Sequence, residues 1–314
     1  MEARRMPARR FPELSYANPS QPRLKRWFIR SVEGLSGRDR YARLYEIWRS
    51  SIVPSGDRIF GRMLELIDVR FDCASHWPPA DLPDGPLVIV ANHPFGIGDG
   101  IAALSLAEEL GRPFRVMINA ELLKVPEIEP YSLPIDFSET KQALANNMAV
   151  RHEALQLLKD GVTIVIFPGG GVATAPNGFG RARDLPWKMF PAKLIQEARA
   201  NVVPVYFPGQ NGRLFHLVSR PMLMSETATP LRRALYDVSL TLRTSLLIRE
   251  FARLHGKAIE ARIGRPILWQ DLRQIRNRKE LIEFLHAKVF SLGDETKGGR
   301  RGLFRRKLPT RLAA

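Results

Sequence analysis

Cysteine is nearly missing from this chain: Cys73 is the one thiol among 314 residues. One thiol cannot close an intramolecular disulfide, so packing has to hold the fold, and the composition fits a reducing compartment. Cys73 itself reads as a small buried residue. Long apolar runs are missing too, and none approaches the roughly 18 residues that a spanning helix needs. The basic start, Met1 to Arg10, leads into no apolar h-region, so it does not read as a signal peptide. Proline interrupts the same segment, which disfavours a transit peptide. The six His show no metal-ligand spacing, and no metal is expected. A Walker A lysine motif and a Gly-x-Ser-x-Gly elbow are both absent. Without a marked nucleophile, direct transfer between two substrates is favoured over a covalent enzyme intermediate.

Acidic residues are scarce at the two ends. Residues 1–30 hold eight Lys/Arg against two Glu, and residues 296–314 hold seven Lys/Arg and no acid. These ends carry +13 of the formal +16, so the segment between them is nearly neutral. Basic tails attract anionic phospholipid or nucleic acid. In the tail from Arg300 to Leu308, Leu303 and Phe304 interleave with the charges. That pattern suits adsorption on an anionic membrane surface, where each Lys/Arg contributes about 1 kcal/mol. Nucleic acid is not expected as a partner.

Four regions follow: a basic, poorly ordered tail over 1–30, a helical segment over 31–77, an α/β domain over 78–295 and a basic tail over 296–314. The apolar positions Leu44, Ile47, Trp48, Ile52, Ile59, Met63, Leu64 and Ile67 predict helix, broken at Pro54-Ser55-Gly56. After a Pro-rich linker the pattern alternates. Strands are predicted at 87–91, 114–118, 162–167, 202–207 and 258–263. Helices are predicted at 101–110, 141–159, 188–198, 231–255 and 279–291. Nearly continuous apolar strands alternating with helices predict an α/β fold with a mainly parallel sheet flanked by helices. Pro204, inside one strand, predicts an edge position or a bulge.

Three stretches carry candidate chemistry. The strand ending at Ala91 runs into Asn92-His93-Pro94-Phe95-Gly96-Ile97-Gly98-Asp99-Gly100. A His at a strand end can act as a base. Asp99, six residues on at a helix start, can face back and orient it. A His satisfying a hydrogen bond at a sheet edge is the plainer alternative. The second stretch is Phe167-Pro168-Gly169-Gly170-Gly171, whose backbone N–H groups can face an anion or an oxyanion, or form only a connecting loop. The third is Val202 to Asn211, where Gln210 and Asn211 are placed to face the same cleft. A dinucleotide fingerprint fails at position 101, which is Ile, and its acidic residue is only a displaced Glu121.

Four blocks in order resemble the glycerolipid and lysophospholipid acyltransferase superfamily: Asn92-His93-Pro94 through Asp99, Asn119 to Pro126, Phe167-Pro168-Gly169-Gly170, and Val203-Pro204-Val205-Tyr206. The commonest family form has four residues between His and Asp. Here there are five, Pro94 to Gly98, which is similar to the hemolysin-like, lyso-ornithine-lipid acyltransferase-like branch. The family's usual Glu after Phe-Pro is Gly169 here, and that Glu is associated with holding a glycerol-phosphate acceptor.

The resemblance implies transfer of a fatty acyl group from acyl-ACP or acyl-CoA to a lysolipid hydroxyl, with no other cofactor. It implies His93 as general base, Asp99 as its orienting partner, and Lys124, Phe167, Pro168, Gly169, Gly170, Gly171 and Asn211 around the substrate. Arg183 is a further candidate anion contact. It also implies peripheral binding at the cytoplasmic face of the membrane, beside a groove wide enough for an acyl chain. A non-catalytic acyl- or lipid-binding module with a degenerate site is the alternative, and a nucleotide-binding protein using Gly96 to Gly100 is a third.

Overall fold

The structure is a computed structural model that describes residues 11–15, 17, 23–35, 38–73, 76–136, 140–223 and 230–303. Three helices lead the chain: α1 (Arg23–Leu35), α2 (Arg38–Ile47) and α3 (Ile59–Leu66). The break between α2 and α3 falls at the Pro54-Ser55-Gly56 turn, where Gly56 has φ 66°. Strand β1 (Val69–Cys73) follows, then β2 (Leu87–Ala91), α4 (Ile97–Glu108), β3 (Phe114–Asn119), β4 (Ser132–Ile135) and α5 (Lys141–Lys159). The chain continues through β5 (Thr163–Ile166), α6 (Phe190–Ala198), β6 (Asn201–Tyr206), α7 (Arg213–Leu223), α8 (Pro230–Ala252), β7 (Lys257–Ile263), α9 (Trp269–Leu272) and α10 (Arg278–Leu303).

The seven strands form one sheet in the order β1-β7-β6-β2-β5-β3-β4. From β6 to β4 all pairings are parallel. β7 runs antiparallel to β6 and pairs in parallel with β1. The mainly parallel α/β sheet expected from the sequence is therefore present.

The strands read as continuous apolar runs because both sheet faces are covered. Along β2, Leu87, Ile89 and Ala91 enter one core with α3 and α4. Val88 and Val90 enter the other, with α5, α6 and α10. Tyr45 and Trp48 join the first core, so the N-terminal helical segment packs on the sheet.

The register places the site. Ala91 pairs with Val205, and Val90 pairs with Ile166. The C-terminal ends of β2, β5 and β6 are thus level, and the loops that follow them emerge together. In parallel α/β sheets this end is where ligands bind.

Several sequence expectations need correction. Pro204 lies in β6, an interior strand between β7 and β2 rather than an edge. The bulge alternative holds. Val205 pairs with Ile263 and Val202 with Ile267, so three residues of the partner oppose two of β6. The Pro204 ring comes within 2.8 Å of where a Cβ would stand on Gly264. α1 begins at Arg23, inside the segment read as a basic tail, and α10 carries the backbone on to Leu303. Residues 1–10, 16, 18–22 and 304–314, which hold the rest of both tails, lie outside the described residues. Cys73 is half-buried on edge strand β1 rather than fully buried. Strands β1 and β4 and helix α7 were not foreseen.

Candidate active site

The site begins with Asn92, the first residue beyond β2. Its side-chain amide donates to the Phe207 carbonyl at 2.9 Å, and its carbonyl oxygen accepts the Phe207 N–H at 2.7 Å. This two-way bond locks the ends of β2 and β6 together in the interior. Pro94 disfavours helix at His93. Gly96 then turns the chain with φ 84°, a conformation that favours glycine, and α4 starts at Ile97. The helix thus starts four residues earlier than the sequence pattern predicts, and Asp99 lies in its first turn. Negative charge is favoured there, against the exposed N–H groups of the helix end.

Asp99 is fully buried at 0% exposure. A buried carboxylate is costly unless partnered, and here both oxygens have an assignment. Oδ2 accepts the Phe95 N–H at 2.9 Å. Oδ1 faces His93 Nδ1 at 3.0 Å, and among the described residues neither atom has another partner. A carboxylate can only accept, so the neutral ring keeps its proton on Nδ1 and leaves the Nε2 lone pair available. The His93 side chain is 18% exposed, which gives a substrate access to it. Its ring packs tilted against Phe167, with centroids 4.2 Å apart and planes at 32°.

A second carboxyl, not recognised from the sequence, meets the His93 backbone N–H. Asp184 Oδ1 accepts the His93 N–H at 3.2 Å, and its Oδ2 accepts the Trp187 indole N–H at 3.0 Å. Burial raises the Asp184 pKa, against the lowering effect of the Trp187 and His93 hydrogen bonds. For His93, burial pushes the pKa down and Arg243 adds to that. The Asp99 charge and contact, with Asp184 behind them, push it up, and the net direction is up. The ring is therefore a stronger base than an ordinary imidazole.

The loop after β5 wraps the same His. The Ala173 N–H donates to the His93 carbonyl at 2.7 Å. Gly170, at φ 67°, closes a turn by donating to the Phe167 carbonyl at 2.9 Å. Its N–H is thus spent, and the N–H groups of Gly169 and Gly171 remain as oxyanion candidates among the described residues. The Pro168 carbonyl accepts from Lys188 N–H at 2.9 Å. A Cβ on Gly169 would stand 3.2 Å from the Leu185 carbonyl oxygen, so the segment following Asp184 occupies the space beside this position. Buried Arg243, on α8, donates to Thr174 Oγ1 at 2.9 Å and to the Val172 carbonyl, and lies over the Phe215 ring at 4.9 Å. It ties α8 to the glycine loop.

The remaining candidates are less central. Asn211 is buried, and its amide reaches the Phe95 carbonyl at 3.5 Å, the limit of a hydrogen bond. This places it against the His93–Asp99 turn. Phe95 also packs over Gly209, where a Cβ would come within 2.4 Å of the ring and φ is 124°. Lys124 is half-buried in the turn after β3, two strands from β2. Arg183 is exposed and forms a backbone bridge with Thr174. Among the described residues no cluster could hold a metal ion. A buried base with an orienting carboxylate, beside backbone N–H groups, can deprotonate a hydroxyl and stabilise an oxyanion.

Comparison with known proteins bears on the family of the chain. A family model described as Acyltransferase matches residues 79–299. A lyso-glycine lipid O-acyltransferase of Bacteroides thetaiotaomicron is 28% identical over 214 residues, covering 67% of this chain and 71% of that protein. Another, from Phocaeicola vulgatus, is 25% identical over 219 residues, covering 68% and 70%. Among solved structures, the 1-acyl-sn-glycerophosphate acyltransferase PlsC from Thermotoga maritima aligns with a TM-score of 0.47 at 14% identity, covering 87% of this chain and 94% of that one. The family match includes both the His93–Asp99 turn and the glycine loop, and the chain belongs to the acyltransferase family.

Proposed function

We propose that the protein transfers a fatty acyl group from a thioester, acyl-ACP or acyl-CoA, to the hydroxyl of a lysolipid at a membrane surface. The observation that carries this is the His93–Asp99 pair, 3.0 Å apart at the open end of the sheet. His93 Nε2 takes the acceptor hydroxyl proton while the oxygen attacks the thioester carbonyl. Asp99 holds the ring and stabilises the imidazolium that forms. The Gly169 and Gly171 N–H groups receive the developing oxyanion. Collapse breaks the carbon–sulfur bond, and the imidazolium returns its proton to the departing thiolate. An ester and a free thiol result.

The acceptor is an amino-acid lysolipid rather than lysophosphatidic acid. The similarity to lyso-glycine lipid O-acyltransferases supports this. So does Gly169, where the family's glycerol-phosphate-associated Glu is missing and Leu185 crowds the position. Among the described residues no helix is long and apolar enough to cross a membrane, and the reading is of peripheral association.

The test incubates purified protein with lyso-glycine lipid or lysophosphatidic acid and each thioester, and follows products by mass spectrometry. Diacylated glycine lipid is expected, and its loss in His93→Ala. Retained turnover in that variant refutes the base assignment. Binding of the acyl thioester without any product would instead indicate a lipid-binding module, and faster use of lysophosphatidic acid would overturn the acceptor.

A further inference from the structure

Between the glycine loop and α6 the chain makes a hairpin whose base is the antiparallel bridge Thr174↔Arg183. Its tip is shaped by Gly178 and Gly180, at φ 74° and 87°, on either side of Phe179. Phe179 is 59% exposed, although it is among the largest apolar side chains of the protein. The hairpin is held in place at several points. Gln210 accepts from the Ala182 N–H at 2.8 Å and donates to the Gly180 carbonyl at 3.0 Å. His216 Nδ1 accepts from the Ala175 N–H at 3.3 Å, and burial pushes the His216 pKa down, favouring the neutral acceptor. An exposed Phe on a braced hairpin is a presented side chain.

Gln210 also joins the hairpin to the start of α7, where Leu214 is 41% exposed. Arg181, Arg183 and Arg213 are exposed on these same two segments. No Asp or Glu occurs from Thr174 to Arg183 or from Phe207 to Ser219. Two acids adjoin these segments and both are engaged: Asp184 accepts the His93 backbone N–H, and buried Glu250 accepts the Gly212 N–H at 2.6 Å. These two segments therefore present two apolar side chains and three cations and carry no acid of their own. They sit at the end of the sheet where His93 opens, since Ala173, one residue before the hairpin, bonds the His93 carbonyl.

We propose that the Thr174–Arg183 hairpin, with Leu214 and Arg213, is the face by which the protein docks on an anionic lipid bilayer. Phe179 and Leu214 enter the acyl boundary while the arginines meet lipid headgroups. A protein partner with an acidic surface would attract the cations but would leave two isolated apolar side chains without a matched pocket. The assignment rests on the reading that the acceptor is a membrane lipid. It places the lipid surface against the mouth of the site, so an acceptor need not leave the bilayer to reach His93.

The test is flotation of the full chain with phosphatidylglycerol–phosphatidylcholine vesicles and with phosphatidylcholine vesicles. The wild type is expected to float with the anionic set. Phe179→Ser combined with Leu214→Ser, and separately Arg181→Glu combined with Arg213→Glu, are expected to lower that partition roughly tenfold each. Both variants are expected to keep wild-type turnover of a short-chain lysolipid below its micelle concentration, after circular dichroism has shown that they fold. If one pair fails to fold, the other carries the test. Wild-type flotation of the folded variants overturns the proposal. So does loss of flotation only when Arg305, Arg306 and Lys307 are changed to Gln. A wild type that acylates monomeric lysolipid but floats with no vesicle removes the docking face and leaves the function standing. A wild type that floats but acylates nothing does the reverse.

Discussion

The His93–Asp99 turn and the Thr174–Arg183 hairpin leave the same end of one sheet and are built from opposite materials. In the turn, polar atoms are buried and matched one to one: Asn92 with Phe207, Asp99 with Phe95 and His93, and the His93 N–H with Asp184. In the hairpin, a Phe and two arginines stand in solvent with no acid between them. Chemistry needs a fixed ring, so the turn is held by matched buried bonds and tolerates no slack. Capture of a surface needs exposure, so the hairpin gives up burial that its Phe would otherwise provide. The two demands are separated by a few residues on one loop.

The comparison breaks first at His93. His93→Ala is expected to lower kcat about 10³-fold, within the range for losing a general base. A change confined to KM would show that the ring binds substrate and moves no proton. Asp99→Asn is expected to cost about 10²-fold, because the amide can present its N–H to Nδ1 and favour the wrong tautomer. The sign of its pH effect follows from the raised His93 pKa. The neutral ring is the active form, so kcat/KM falls as pH drops through that pKa. Removing Asp99 leaves burial as the dominant influence, and the acidic limb moves to lower pH. A limb that stays in place or rises would separate Asp99 from the base.

Asp184→Asn sharpens the same contrast with a smaller effect. The amide oxygen still accepts the His93 N–H, so the backbone anchor survives while the charge is lost. A fall in kcat of about fivefold is expected, since a weaker base transfers less of the developing charge. The acidic limb again moves down. If kcat falls and the limb does not move, Asp184 acts through packing alone.

Much of this site was legible because its parts are local. His93 and Asp99 lie within one strand-turn-helix unit, so spacing alone predicts their meeting. β2, β5 and β6 were legible because strands covered on both faces are apolar throughout. Asp184 was not legible, because it reaches His93 across 91 positions and nothing in Arg183-Asp184-Leu185 distinguishes it from a surface acid. Arg243 looks like a solvated charge on a long helix, and only the packing of α8 on the glycine loop buries it. β4 is four residues with Pro134 inside, too short and too interrupted to read as a strand. β1 has Arg70 and Asp72 on its open side, the alternation of a half-exposed edge. The reach of Asn211 to the Phe95 carbonyl was not legible either, since sequence shows which loop carries an amide but not which carbonyl it faces.

The smallest expected effect concerns Gly169, where the glycine loop meets the segment that follows the hairpin. An added Cβ would lie 3.2 Å from the Leu185 carbonyl oxygen and 3.7 Å from the Asp184 Cβ. Backbone cannot swing aside as a side-chain tip can, so Gly169→Ala must push the 184–188 segment outward by a few tenths of an ångström. Overpacking of this kind costs about 1 kcal/mol at the lower end of its range, which a melting curve resolves. The displacement lengthens the bond from His93 N–H to Asp184, so a twofold loss in kcat with a slight downward shift of the acidic limb is expected. Gly169→Glu adds bulk at the same place and is expected to bring no use of lysophosphatidic acid, because the space that Glu would need is already filled by Leu185. Unchanged melting and an unchanged pH profile in Gly169→Ala would mean that the return segment yields freely. The rigid turn would then extend no further than Asp99, and Asp184 would belong with the exposed hairpin rather than with the base.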